Sequence, residues 1–308
     1  MTSTYKVTGI NLKSMPMGDY DRLLTILTRE EGLVRAIVPG ARKHKSSLGG
    51  RSSLFVVNHL LMVRGRNLDK VIQAETIESY PRLSQHLSKL TISQYLAELV
   101  LIQALSEQPQ EQLFTSLTTH LNRLEQLDHE PLNYFQGKAL IYLNQGIYDL
   151  LTLAGVSPRI HRCCLTQATI IPELNDCDWR VGFSPEMGGM VCLAALPSPV
   201  QTFPTPLAVG KPTLTPPNPP KGCLEPEKWE KPSQYFFWLT AQEAWLLQQL
   251  TQPDGNLNLL FSHLQPLDLL TTGLKVERVL RHYVHYHLER VIRSASLLEA
   301  CFSGSLPE

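Results

Sequence analysis

Cations gather where the chain stops alternating. After Pro39-Gly40 the run GARKHKS sets Arg42, Lys43 and Lys45 around His44, and Arg51 follows a Gly49-Gly50 pair. Arg64 and Arg66 open the segment RGRNLD, Lys70 follows it, and Arg35 sits just upstream of the loop. Ammonium and guanidinium groups at this density, with no apolar period between them, face water and neutralise phosphate oxygens. Gly49 and Gly50 would let loop backbone approach a phosphate closely. The candidate phosphate-binding set is therefore Arg35, Arg42, Lys43, Lys45, Arg51, Arg64, Arg66 and Lys70. Tyr5, Tyr20 and Phe55 are candidate platforms for base stacking, or else core and rim residues.

Other chemistries find less support. A nucleotide P-loop would need glycine and lysine at the positions that Lys45 and Ser46 occupy, so GARKHKS is not one. A zinc ribbon of the form C-x2-C…C-x2-C would use positions 163, 166, 192 and 195, but these hold Cys163, Thr166, Cys192 and Ala195. Cys164, Cys177 and His161 could substitute only at irregular spacing. Cys163 and Cys192 are thus vestigial positions, and no cofactor is expected. On the last predicted helix His282, His285 and Glu289 share a face but alternate with Arg278, Arg281, Arg290 and Arg293, which repel a cation. That face is expected to be solvated. A metal-dependent nuclease would need clustered carboxylates. Asp19, Asp21, Glu30 and Glu31 form the dense acidic set of the basic head, and they fall at strand ends near turns. The chain contains no G-x-S-x-G, H-E-x-x-H or G-x-G-x-x-G. No enzymatic activity is expected.

The elements that must carry the cations are short strands. Tyr5–Leu12, Asp21–Thr28, Leu33–Val38, Phe55–Val63 and Lys70–Ser79 are apolar or alternating, and turn signals at Met17-Gly18, Glu31-Gly32, Pro39-Gly40 and Gly65-Arg66-Asn67 separate them. Five strands in eighty residues with a long third connection fit a small closed barrel, of the OB or the SH3-like kind. Closure would also hide edges that strands this apolar expose. From Ser84 the period lengthens. Leucines recur at helical spacing to near Pro109, again over Leu113–Leu124, and over Tyr134–Leu153 before Gly155. Residues 158–196 lose periodicity and hold most of the cysteines. Pro197–Pro232 contains 11 of the 22 prolines and is expected to be a surface insertion. Tyr235–Leu250 and Leu267–Leu298 are predicted helices, the second with a stripe from Val276 to Leu288 that can dock on the earlier bundle. The expected division is therefore 1–80, a nucleic-acid-binding barrel; 81–157, helical; 158–196, the cysteine region; 197–232, the insertion; and 233–308, helical again.

The 308 residues carry no formal net charge, which conceals an asymmetry. Residues 1–80 hold 12 Lys and Arg against 7 Asp and Glu, and the remainder is acidic by the same margin. A cationic head on an anionic body suits a polyanion at one end and protein partners at the other. The N-terminus lacks the apolar core of a signal peptide, and no apolar run is long enough for a bilayer. Sparse, irregular cysteines do not suggest a disulfide scaffold. A cytoplasmic protein without membrane contact is expected.

The run PMGDYDRLLTILTREEGLVRAIVPGARKHKSSLGG, followed by RGRNLD and QAETIES, resembles the N-terminal domain of the bacterial RecO family of recombination mediators. QYLAELV, FSPEMGGMVC and VERVLRHYVHYHLE are similar to the same family in the same order, so the likeness covers most of the chain. It implies an α+β architecture: an N-terminal OB-fold barrel, then an α-helical domain with an embedded cysteine region that is here a degenerate zinc ribbon. It further implies binding of single- and double-stranded DNA and annealing of complementary strands in the RecF pathway. With RecR such a protein helps RecA displace single-strand DNA-binding protein, whose acidic C-terminal tail it docks, at the nucleoid. Arg278, Arg281, Arg290 and Arg293 offer a basic place for that tail. The rival expectation is a helical scaffold whose barrel binds protein instead of DNA.

Overall fold

The computed structural model describes residues 3–127, 132–195, 236–252 and 265–303. Five strands close a barrel in the order β1-β2-β3-β5-β4. They are β1 (Thr4–Met17), β2 (Asp21–Thr28), β3 (Gly32–Val38), β4 (Val57–Val63) and β5 (Asp69–Glu78). β1 is long because it serves twice. Thr4–Ile10 pairs with β4 and Gly9–Met17 pairs with β2, and the short parallel contact of Ala36 and Ile37 with Asp69 and Lys70 closes the ring. This is the OB arrangement, with the longest connection between β3 and β4. Inward residues Val7, Leu24, Ile26, Ala36, Leu60, Met62 and Val71 fill the interior.

Ile10, Leu12, Leu27, Phe55 and Val57 belong instead to a second, larger core shared with the helices. That core is built by α1 (Leu87–Gln103), α2 (Glu111–Gln126), α3 (Leu132–Leu153), α4 (Ala241–Gln249), α5 (Pro266–Leu288) and α6 (Ser294–Ser303). α3 and α5 lie side by side, with Leu140 against Gly273 and the Asn144 side chain donating to the Gly273 carbonyl at 2.9 Å. The cysteine region adds β6 (Arg180–Ser184) and β7 (Gly189–Val191), and β8 (Phe237–Thr240) completes a three-stranded antiparallel sheet in the order β7-β6-β8. Phe183, Met190, Val191 and Cys163 are buried in the same core as the helices.

Three sequence expectations change. Tyr235–Leu250 was expected to be one helix, but Phe237–Thr240 is a strand and the helix starts at Ala241 behind a Thr240–Glu243 capping box. Leu267–Leu298 is two helices, because Glu289 turns left-handed at φ 52° and ends α5. β1 also runs five residues past Leu12. The proline-rich stretch 197–232 lies outside the described residues.

The barrel is joined to the helices through backbone. Leu33 N–H donates to Leu105 O at 2.9 Å, Glu107 N–H to Glu31 O at 2.9 Å and Gln110 N–H to Arg29 O at 2.8 Å. Gly32 makes this possible: its φ is +67°, and an added Cβ would lie 2.1 Å from Leu105 O. Gly32→Ala therefore pays both a left-handed backbone and a collision, and we expect it to lower stability by more than about 1 kcal/mol in urea unfolding. An unchanged midpoint would show that the barrel and helices are not held together at this hairpin.

Candidate nucleic-acid interface

One outer face of the barrel is left uncovered, and strand register decides what stands on it. Cross-strand partners share a face, so Lys13 on β1, Thr25 on β2 and Arg35 on β3 form one row. Met15, Leu23, Ile37 and Lys70 form the next row across β1, β2, β3 and β5. Lys13, Arg35 and Lys70 are exposed, as is Met15, while Leu23, Thr25 and Ile37 are half-buried between them. None of the three cations has a hydrogen bond or ion pair among the described residues. Cations around an apolar centre can take phosphates and bases together. Lys13 is absent from the candidate set read from sequence. A bulge at Leu12 shifts the register between Asn11 and Lys13, and strict alternation from the inward Asn11 would have turned Lys13 inside.

The basic loop packs at the β1–β2 turn, where Arg42 N–H donates to Tyr20 O at 2.8 Å. Successive turns shape it: Lys43 N–H to Gly40 O, Ser46 N–H to Lys43 O and Gly49 N–H to Ser46 O. Ala41 is buried and Leu48 packs on the barrel interior. Asp21 accepts from the Gly40 N–H at 2.7 Å. Arg22 reaches the far end of the loop, its Nη1 donating to Ser52 Oγ at 3.1 Å and near the carbonyls of Ser52 and Gly49. Arg42 donates to Gly18 O at 2.9 Å, and Lys43 Nζ stands 5.3 Å over the Tyr20 ring, which is 57% exposed. Tyr20 thus suits stacking beside a cation. Lys45 and Arg51 are exposed on the same loop.

The fourth connection, between β4 and β5, behaves differently. Arg64 is already paired with Glu31 at 2.8 Å and lies 4.7 Å from the Tyr5 ring centroid. Tyr5 donates to Asp69, and burial together with that carboxylate raises the phenol well above its usual range. Arg64 and Tyr5 are therefore committed to each other and to carboxylates. Arg66 is exposed beside them. Phe55 is 3% exposed and sits in the core, so it cannot lie flat under a base on the barrel face. Three of the four clustered acidic residues of the head hold structure: Glu30 accepts from the Thr8 N–H, Glu31 holds Arg64, and Asp21 holds the loop, while Asp19 is exposed.

The ribbon positions do converge, but the donors are wrong for zinc. Thr166 N–H and Cys192 N–H point at Cys163 Sγ at 3.5 and 3.3 Å, and Thr166 Oγ1 lies 3.5 Å from Cys192 Sγ. Burial disfavours the Cys163 thiolate, yet these hydrogen bonds outweigh it and leave its pKa below the ordinary thiol value. Two thiols, a hydroxyl and a methyl do not make a tetrahedral zinc site. Among the described residues the His, Cys and carboxylate groups that do converge are Asp176, Cys177 and Asp178, all exposed and elsewhere.

The face expected to be solvated is exposed at Arg278 and His285 on the last long helix and at Glu289, Arg290 and Arg293 just past its end, while Arg281 and His282 are half-buried. His282 packs 5.0 Å from the Phe237 ring, His287 bonds the Pro185 carbonyl at 3.0 Å, and Arg281 grips Glu277 and Glu299. Of the histidines there, His285 is exposed. Arg278, Arg290 and Arg293 are exposed without a carboxylate partner among the described residues. No described helix is long and apolar enough to cross a membrane.

Comparison with known proteins agrees with this architecture over its whole length. Residues 1–80 match the family model described as recombination protein O N terminal, and residues 84–197 match recombination protein O C terminal. A protein of Cyanothece sp. named DNA repair protein RecO is 48% identical over 315 residues, covering 100% of this chain and 99% of its own. Proteins of the same name from Acaryochloris marina and Trichodesmium erythraeum are 46% and 43% identical, the first covering 98% of this chain and 97% of its own, the second 100% and 98%. An OB barrel welded to a helical body, matched by both family models and by full-length relatives, places the chain in the recombination protein O family.

Proposed function

We propose that this protein acts in DNA repair and recombination by binding DNA strands on its barrel and bringing complementary strands together, without covalent chemistry. The observation that carries this reading is the set of Lys13, Arg35 and Lys70, exposed on two adjacent rows of one barrel face and unpaired among the described residues, together with Arg42 and Lys43 on the loop beside the β1–β2 turn. Cations that no carboxylate satisfies exchange their counterions for phosphates, and a neutralised strand no longer repels its complement. Family membership gives the biological setting. It supports assistance to RecA on DNA coated with single-strand-binding protein, in company with RecR, and docking of that protein's acidic tail. The acidic helical body suits such protein contacts better than DNA does. Arg278, Arg290 and Arg293 are the candidates for the tail, since Arg281 is already occupied.

The test is a strand-annealing assay beside a binding titration in a salt series. Coverage of about four to six phosphates gives a log–log slope of about −3 to −4 on single strands. A flat response would remove electrostatic strand capture from the mechanism. Binding of protein partners by an isolated barrel that ignores DNA would favour the scaffold reading.

A further inference from the structure

A cavity of about 630 Å³ opens where the basic loop meets the helical body. Its size is that of a pocket for one small organic ligand. Leu54, Phe55, Tyr80 and Leu83 give it apolar walls, and Arg22 and Arg42 also line it. Neither guanidinium is paired with a carboxylate among the described residues. Each uses Nη1 on backbone or hydroxyl oxygens of the loop and Gly18, which fixes its direction and leaves Nε and Nη2 without a partner among the described residues. Ser84 and Gln94 add hydrogen-bonding groups to the wall. Fixed guanidiniums beside an apolar, hydroxyl-bearing recess fit an anion that carries a flat, mostly apolar body with polar edges.

We infer that this cavity receives one nucleotide of the bound strand, its phosphate on Arg22 and Arg42 and its base in the recess between barrel and helices; this rests on the DNA-binding reading above. Arg42 stands on the basic loop, next to Lys43, and also lines the recess, so a strand held by that loop meets the cavity directly. The base held there is turned away from its neighbours and cannot pair until it leaves. A strand-pairing protein so built pins the strand at one point while the rest stays open to a complement.

The experiment compares a labelled dT oligomer with an abasic oligomer of equal length and charge, on the full chain. Abasic strand is expected to bind about 10-fold more weakly, the worth of one or two base contacts. Ser84→Trp fills the recess and is expected to bring that ratio down several-fold; Gln94→Trp serves if the first variant unfolds. A strand of 4-thiothymidine, irradiated in the complex, is expected to crosslink to Leu54–Val56 or Tyr80–Ser84. Crosslinks confined to Met15, Tyr20 and Ile37, or a ratio that both tryptophans leave unchanged, would overturn the cavity while strand binding stands. Loss of capture of an aspartate-rich peptide in Ser84→Trp, with the ratio unchanged, would give the recess to a protein anion and overturn it too. Absence of any salt-dependent DNA binding would sink both readings.

Discussion

A chain carrying Lys13→Glu, Arg35→Glu and Lys70→Glu should lose at least about 100-fold in affinity for single-stranded DNA near 0.1 M salt, with little change in unfolding midpoint. The magnitude follows from counterion release. Each phosphate contact on a single strand contributes about 0.7 of a log unit per decade of salt, so three contacts amount to roughly two log units and a slope shallower by about 2. Reversed charge adds repulsion to that loss. Stability should hold because none of the three side chains has a partner to lose among the described residues. Arg64→Glu is the informative contrast: its guanidinium is already neutralised by Glu31, so DNA affinity should fall far less while the Tyr5 and Glu31 contacts are lost. Equal losses in the two chains, measured by fluorescence anisotropy, would mean that strand register does not choose the binding residues.

Arg281→Met should be the most destabilising of the single substitutions considered, by about 3–5 kcal/mol above pH 7. Glu277 is buried, accepts from the Tyr95 hydroxyl at 3.0 Å and lies 3.4 Å from Arg281, which also binds Glu299 at 2.7 Å. Burial pushes the Glu277 carboxyl up to about 7, against the pull of Arg281 and Tyr95. A carboxyl with a raised folded-state pKa holds its proton more tightly in the folded protein. Its contribution is therefore full below the unfolded value near 4.5 and is lost as pH rises to about 7, a change on the order of 3 kcal/mol. Removing Arg281 takes away the cation 3.4 Å from that charge and steepens the loss. Glu277→Gln keeps an acceptor for Tyr95 and should flatten the profile between pH 4.5 and 7. The double substitution should recover most of the stability. Urea midpoints at pH 5 and pH 8 decide it: an Arg281→Met deficit equal at both would show that the buried carboxyl is not its source.

The sequence by itself determined the parts whose physics is local. Period-two apolar runs punctuated by Gly18, Gly32 and Gly40, each at positive φ, specified five strands and their turns. Leucine spacing specified α1 to α3, and the family motifs specified the barrel-then-helix order. It also located the loop cations, because a charged run without apolar period has nowhere to go but the surface. Local pattern failed where a distant element supplied the decision. Phe237–Thr240 is a strand because β6 offers it an edge, and Phe55 is buried because the helices close over it. Lys13 faces outward because one bulge inserts a residue, Arg22 became a loop anchor, and Arg64 was claimed by Glu31 from the neighbouring hairpin. Which cations stand free together is a question of strand register and pairing between residues far apart in the chain, up to 33 positions for Glu31 and Arg64. Only a closed barrel, with its inside and outside fixed, answers it.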